Sequence, residues 1–477
     1  MTLMTRTSKI TMPDHLQNVL THLETHRGSI LTELIEFASI PSVSTDPAHA
    51  ADMESAWQWV ATALKSAGGF DVRTIKTAGN PVVYAEWLGA PGKPTILVYG
   101  HYDVQPPDPL EKWHNPPFTP TVRDGKLYAR GVSDDKGPML IPIKVAQAFF
   151  AVTGGLPLNV KCMFEGEEEI GSPSLDAFIR EHKDLLAADV VVSADGAMWR
   201  INEPSLTVAS RGLAGLEITL TAASKDLHSG RHGGAVANPL NAMARLIASL
   251  HDSSGRVAVA GFYDAVQELS QAERKDIAAL PFDDAGYLAQ VGAPATFGEP
   301  GYSTLERQWT RPTLDVNGMW GGYQGPGQKT VIPTEAHAKI TCRLVADQDP
   351  DEIVRLVTHH LESNVPAGTR LRITAGDHGA RPYRIAADHF ALAAAAEALE
   401  AVYGVKPFVV SMGGTVPISE LFKRHMGIDT VFFSFSTADE DYHAPNEFFR
   451  IHRLNEGLAA WARLWDVLAS SHLGAHT

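Results

Sequence analysis

Five short apolar runs constrain this chain more than any other feature: VVYAEWL (82–88), TILVYG (95–100), LNVKCMF (158–164), DVVVSA (189–194) and TVFFSF (430–435). Their apolarity is continuous. A strand with one wet face alternates polar and apolar residues, so these runs read as strands buried on both faces. Helical stretches lie between several of them, for example 138–153 and 388–403. In ESAWQWVATALKSAGG, Trp57, Val60, Ala61 and Leu64 recur at helical spacing ahead of a Gly pair. The expectation is an α/β fold, a mostly parallel sheet with helices on both faces.

The segment 210–380 reads differently. LEITLTA (216–222) alternates at its start. In NPLNAMARLIASL, Asn238 reads as a helix cap, Pro239 as the first helical residue, and Leu240, Met243, Ile247 and Leu250 fall on one face. QKTVIP and AHAKITCRLV read as two strands. DPDEIVRLVTHHL repeats the cap pattern with Asp349 and Pro350, and LRITAG reads as a last strand. Strand, helix, two strands, helix, strand is an α+β layer structure, with 252 to about 320 as an irregular insertion. The domain reading is a discontinuous larger domain, 1–209 and 381–477, interrupted by a smaller one, 210–380. A length of 477 residues suits two domains.

Charge and cysteine content narrow the function classes. The net charge is 40 − 55 = −15, which argues against a nucleic-acid partner. The two cysteines, Cys162 and Cys342, sit in strand-like runs and read as small core residues, in keeping with a reducing, cytoplasmic setting. MTLMTRTSKITMPDHLQ has no apolar stretch of the secretory kind, and residues 1 to about 12 read as a loose tail. No run approaches 18 apolar residues, so no membrane partner is expected.

In open α/β sheets, ligands bind just past the carboxyl ends of the strands. TILVYG runs into His101 and Asp103. LNVKCMF runs into FEGEEEIGS, where Glu165, Glu167, Glu168 and Glu169 crowd into five positions. DVVVSA runs into Asp195, TVFFSF leads towards His443, and Asp134 and Asp135 precede a helix in RGVSDDKGP. A lone His or a single acidic run is usually solvated surface. Four strand ends that each deliver a His or a carboxylate point instead to a cation. Imidazole and carboxylate ligands without thiolates suit Zn²⁺ or Mn²⁺ at a hydrolytic site. Metal-assisted hydrolysis also needs one acid left over as a base.

GHYDVQP, RGVSDDKGP, FEGEEEIGS, SADG, DLHSG, CRLV, GGTVPI and YHAPNE occur in this order between residues 100 and 447, within a resemblance that covers about 30 to 460. Together they resemble the co-catalytic metallopeptidase family of carnosinases and cytosolic nonspecific dipeptidases, whose wider relatives include aminoacylases, acetylornithine deacetylase and succinyl-diaminopimelate desuccinylase. The resemblance implies a zinc-exopeptidase-like fold whose inserted domain serves as lid and dimerisation domain. It implies two divalent ions per subunit, Zn²⁺ first, Mn²⁺ or Co²⁺ otherwise. His101 and Asp195 resemble the ligands of one ion, Glu169 and His443 those of the other, and Asp134 the carboxylate shared by both. Glu168 resembles the general base, Asp103 the acid that orients His101, and His228 a residue that enters the partner subunit's site and stabilises the oxyanion. Arg343 resembles the clamp for the substrate carboxylate, and Gly413, Gly414 and Thr415 the turn lining the substrate pocket. A cis peptide between Asp134 and Asp135 is also implied. Asp135 and Lys136 read as structural neighbours, and Glu165 and Glu167 as solvated or supporting acids.

These readings converge on a dipeptidase or exopeptidase that cleaves a small peptide or amide bond next to a free carboxylate, acting as a homodimer. An N-acyl-amino-acid amidohydrolase is the alternative, with an N-acyl amino acid as substrate. A non-catalytic metal-dependent binding protein is the remote one. One departure bears on substrate: where such dipeptidases often show an Arg-Glu pair ahead of the Gly-Gly turn, this chain has Ser411-Met412.

Overall fold

The computed structural model describes residues 12–376 and 379–471, so the expected N-terminal tail lies almost wholly outside the described residues. The chain separates into two compact units, Met1–Thr207 with Ile385–Phe408 and Leu421–Thr477, and Val208–Arg384 with Val409–Glu420. The sequence reading leaves 409–420 in the larger domain; the segment clusters with the second unit instead. Two arginines there hold it: Arg211 Nε donates to Gly413 O at 3.0 Å and Arg343 Nη1 to Thr415 Oγ1 at 3.1 Å.

All five apolar runs form strands of one six-stranded sheet in the first unit. Its order is Asp71–Ile75, Val82–Trp87, Asn159–Glu165, Thr95–His101, Val190–Ser193 and Thr430–Phe432. The last four run parallel, and the first two join by antiparallel ladders, so the sheet is mixed where a mostly parallel one was expected. Connection length explains the difference. Parallel neighbours need a crossover of a dozen or more residues. The short links 76–81 and 88–94 provide none, whereas the helix Gly137–Thr153 carries the chain from Thr95–His101 to Asn159–Glu165. Every residue of Asn159–Glu165 and Val190–Ser193 is buried, as continuous apolarity requires. The helix Ile451–Ser470 packs on Gly137–Thr153 through Gly457, where a Cβ would lie 2.5 Å from Ile141 Cδ1. A second sheet, Phe448–Arg450, Lys126–Tyr128 and Thr121–Arg123, ties the end of the chain to the segment leading into Asp134.

The second unit is built on an antiparallel sheet in the order Thr313–Gly321, Glu335–Leu344, Gly212–Thr221, Arg370–Ala375. Helices Pro239–Ala248 and Pro350–Ser363 contribute Met243, Leu246, Val357 and Leu361 to a core shared with Ile218, Leu220 and Ile340. Each such buried side chain contributes about 1.5–3 kcal/mol. Asn238 Oδ1 accepts from Leu240 N, and Asp349 Oδ1 from Asp351 N and Glu352 N, so both expected caps form.

Two expectations for this unit need correction. The partner of Glu335–Leu344 on its outer side is Thr313–Gly321, which the sequence reading places inside the irregular insertion; two glycines and a bulge between Val316 and Gly318 break its periodicity. QKTVIP supplies only Val331–Ile332, paired apart from the main sheet with Leu227–His228. The insertion also contains helices Gln271–Ala278, Asp284–Val291 and Thr304–Thr310.

Candidate metal centre

Parallel register sets the site. His101 pairs with Glu165 and Tyr99 with Ser193, so three neighbouring strands end nearly level and the residues after them converge. His101 closes its strand, fully buried. Its Nε2 lies 3.0 Å from Asp134 Oδ1, and its Nδ1 faces Asp103, 3.1 Å from the backbone oxygen and 3.4 Å from Oδ1. Asp103 thus sits behind His101 as expected, with its carbonyl as the nearer acceptor. The Asp103 carboxylate also accepts from Glu168 N (3.3 Å) and Glu169 N (3.1 Å), which fixes the acidic run against the neighbouring strand end.

Asp134 is central. Its second oxygen lies 2.9 Å from His443 Nε2, and the same imidazole nitrogen lies 3.1 Å from Glu169 Oε2. His443 is held at φ +63, in the left-handed region that a residue with a Cβ seldom occupies. The Asp134–Asp135 peptide is cis. The ligand atoms of His101, Asp134 and Asp195 lie within 4.8 Å of one another, and so do those of Asp134, Glu169 and His443. Asp134 belongs to both trios, and Glu168 lies beside them as a member of neither.

Burial raises the Glu168 carboxyl well above its usual range, and the Asp195, Asp134 and Glu169 charges add to the effect. Asp195 is pushed up to about 6, first by burial and then by Asp134. Burial would raise Asp134 too, but hydrogen bonds to His101 and His443 overcome it and hold the group low. The reverse face of those bonds raises His443 to about 10. Glu168, Glu169 and Asp195 are therefore short of positive charge, and Asp134 draws its own from the two imidazoles, so four carboxylates crowd the site. Two divalent ions match them in sign and number, and the imidazole-carboxylate donor set suits hard or borderline cations. The residues present fit a dinuclear centre.

Several side chains that sequence reasoning left without a role hold this arrangement. The Glu447 carboxylate accepts from Gly131 N, Ser133 N and Asp134 N at 2.8, 2.9 and 3.2 Å, and from Arg130 Nη1 at 2.7 Å. Gln105 donates from N and Nε2 to Glu169, at 3.2 and 2.8 Å. Both residues lie inside quoted motifs, YHAPNE and GHYDVQP, which were the available signal. Glu165 and Glu167 are buried rather than solvated. Glu165 accepts from Tyr99 Oη and Ser172 Oγ, and Glu167 from Asn80 N and Ser174 N. Lys136 is buried too, and donates to Phe37 O and Ile40 O.

The remaining expected site residues lie in the second unit. His228 is exposed, and its Nδ1 accepts from Gly230 N at 3.0 Å. Arg343 bonds Thr415, and Gly413 and Gly414 both offer carbonyls to Arg211, which the sequence reading passed over.

With this geometry established, comparison with known proteins identifies the family. Human Beta-Ala-His dipeptidase is 29% identical over 479 residues, 96% of this chain and 94% of that protein. The crystal structure of human carnosine dipeptidase 1 superposes with a TM-score of 0.78 at 29% identity, covering 97% of this chain and 100% of that one. The metallo-carboxypeptidase Sso-CP2 from Sulfolobus solfataricus superposes with a TM-score of 0.80 at 33% identity, covering 93% and 99%. The model of Peptidase family M20/M25/M40 matches residues 97–466, and the chain belongs to that family.

Proposed function

We propose that this two-metal hydrolase of small peptides cleaves the peptide bond next to a free C-terminal carboxylate, with Glu168 as its general base. The observation that carries the reading is the sharing of Asp134 by two ligand trios, with Glu168 beside them and in neither. In this reading His101 and Asp195 hold one ion, Glu169 and His443 the other, Asp134 bridges, and Asp103 fixes the His101 ring. The ions, when bound, supply Lewis acidity for the scissile carbonyl and for the attacking water. Glu168 takes the proton from that water and returns it to the leaving amine. His228 steadies the developing oxyanion. Arg343 holds the substrate carboxylate, and the turn Gly413–Thr415 lines its pocket.

The second unit is proposed to act as lid and dimerisation domain, with His228 donated across a two-fold dimer. Zn²⁺ is the proposed metal. A cytoplasmic location is proposed from the two buried free cysteines; among the described residues no helix is long and apolar enough to cross a membrane.

Ser411-Met412 keeps the amidohydrolase reading in play, because an apolar residue ahead of the Gly-Gly turn suits an acyl group as well as an amine. One assay separates the readings: metal-stripped protein, reloaded with Zn²⁺, Mn²⁺ or Co²⁺, on free dipeptides and on N-acyl amino acids. Cleavage of unblocked dipeptides supports the proposal. Cleavage of N-acylated substrates alone replaces it with the amidohydrolase. Turnover of neither would overturn both.

A further inference from the structure

The two ligand trios stand on different supports. His101 closes the strand Thr95–His101 and is fully buried, and Asp195 lies two residues past the strand Val190–Ser193. Both are placed by the ladders of the sheet. Glu169 and His443 have no ladder. Glu169 sits in the short 3-10 turn Glu168–Ile170, and His443 in turns spanning 441–447. The His443 side chain is 50% exposed, against 0% for His101.

The two imidazoles differ in the same way. A ligating imidazole is usually oriented by a bond from its second ring nitrogen. His101 has one, since its Nδ1 lies 3.1 Å from Asp103 O. His443 has none among the described residues: its Nε2 faces Asp134 and Glu169, and nothing there bonds its Nδ1. The ring is therefore aimed by its backbone. That backbone is left-handed at Asp441, His443 and Asn446, with φ of +54, +63 and +68. Residues with a Cβ hold this conformation where the surroundings enforce it.

One other segment, 105–114, enforces it. Asn446 Oδ1 accepts from His114 N at 2.8 Å, and Asn446 Nδ2 donates to Lys112 O at 2.9 Å. A single amide thus clips a neighbouring turn through both its polar atoms, and asparagine tolerates the left-handed region while doing so. Arg130 Nη2 bridges Pro106 O and Ala444 O, each at 3.3 Å. At the start of the same segment, Gln105 N and Nε2 donate to the Glu169 carboxylate at 3.2 and 2.8 Å, and Nε2 also to Glu169 O at 3.1 Å. Glu169 and the turns carrying His443 are both fastened to 105–114. Among the described residues no hydrogen bond joins His101 or Asp195 to it.

We propose that Asn446, together with Gln105, positions the ligands of one ion of the pair. This bracket sets the hold on the ion at Glu169 and His443 and leaves the ion at His101 and Asp195 untouched, so the two sites can be loosened independently. The proposal rests on the reading of the two trios as two ion sites.

The test uses the metal-stripped full chain titrated with Co²⁺, with bound metal counted by elemental analysis and the ligand-field spectrum recorded. Wild-type protein should bind two ions. His443→Ala supplies the reference, one ion with the spectrum of the His101–Asp195 site. Asn446→Gly removes both clip bonds yet accepts the left-handed backbone. It should weaken one ion by roughly 10- to 100-fold, the cost of losing a group that orients a ligand, and the other by less than about 3-fold. Its spectrum at one equivalent should match that of His443→Ala. Gln105→Ala should do the same through Glu169. Asn446→Asp keeps the acceptor for His114 N and loses the donor to Lys112 O, so it should fall between wild type and Asn446→Gly. Thermal midpoints of the metal-free chains establish folding, and Gln105→Ala carries the test if Asn446→Gly does not fold. Equal weakening of both ions would show that the bracket only supports the unit as a whole, and would overturn the proposal; so would no weakening of either. The underlying reading fails separately, if wild type binds fewer than two ions or if His443→Ala binds as many as wild type.

Discussion

The two units crowd charge of opposite sign. In the first, Asp134, Glu168, Glu169 and Asp195 gather at strand ends, with two imidazoles as the nearest cations. In the second, Arg211 and Arg343 share a sheet face and one turn without a paired carboxylate. Other buried charges are met one to one: Arg130 meets Glu447 and Arg311 meets Glu299, each at 2.7 Å, while buried Lys136, Glu165 and Glu167 are met by carbonyl, hydroxyl and amide groups. Paired groups build structure. The acidic cluster names the sign of what it binds, metal cations. The comparison breaks if perturbing the acids does not separate metal binding from chemistry, or if perturbing the second unit changes metal content.

The largest effect is expected at the acidic run. Glu168→Gln should lower turnover by about 10²- to 10⁴-fold, the scale of general-base catalysis, with close to two ions per chain by elemental analysis. Glu169→Gln should instead lose metal, because Glu169 belongs to a ligand trio and Glu168 does not. Equal metal loss in both would mean that the roles of the two neighbours have been exchanged.

The contrast between the units also shows what a sequence makes legible. The metal-bearing ends were readable because continuous apolar runs name buried strands, and the residues after them are polar types that a core does not tolerate without a partner. Thr313–Gly321 was not readable, since glycines and a bulge erase its alternation. Glu447 was visible only as a motif residue, and its supporting role was not, because its place depends on Phe448–Arg450 pairing with Lys126–Tyr128, more than 300 residues away in the chain. For Glu165 and Glu167 the sequence left a solvated and a supporting place open, and the structure takes the supporting one. Acidity alone reads as solvent exposure, and the hydroxyl and amide donors that make their burial tolerable come from Tyr99, Ser172, Asn80 and Ser174. Arg211 drew no reading from the sequence, because its partner, the turn carrying Gly413, lies about 200 residues further along the chain.

Subunit mixing probes whether the second unit completes the first across a dimer. His228→Ala and Glu168→Ala should each be nearly inactive. In a mixed dimer the His228→Ala chain keeps its Glu168 and receives an intact His228, while the other site has neither. Random pairing of equal amounts makes half the dimers mixed, so about a quarter of all sites should recover under two-fold symmetry. No recovery, with exchange verified by differently tagged chains, would place His228 within its own chain or outside the reaction.

A smaller effect is expected behind the metal trios. Glu447→Gln replaces an acceptor of three backbone N–H groups with an amide that must turn its own N–H₂ towards one of them. Loosening the turn that carries Asp134 should weaken metal binding by roughly 10- to 100-fold, the usual cost of removing a group that orients a ligand. Titration against a competing chelator measures it. Unchanged affinity would show that the turn keeps its shape without Glu447.

The smallest effect separates stability from function in the second unit. Asp349 caps Pro350–Ser363 by accepting from Asp351 N and Glu352 N. Arg381 bonds its carboxylate as well, so the side chain also ties the helix start to the strand-end segment near Ala380. Asp349→Ala leaves the two amides to solvent and should destabilise by about 0.5–2 kcal/mol, as lost caps do. The helix packs Ile353, Val357 and Leu361 into the core beneath Gly212–Thr221 and Glu335–Leu344, and those contacts survive the substitution. Chemical denaturation should therefore show a lower midpoint for this unit. Metal content should stay at the wild-type value, because no trio member lies in 208–384, and turnover of a well-cleaved dipeptide should persist below the unfolding midpoint. A loss of metal alongside the loss of stability would mean that the metal ligands do not stand on a support stabilised separately from the second unit, and the division drawn between the two units would have to be abandoned.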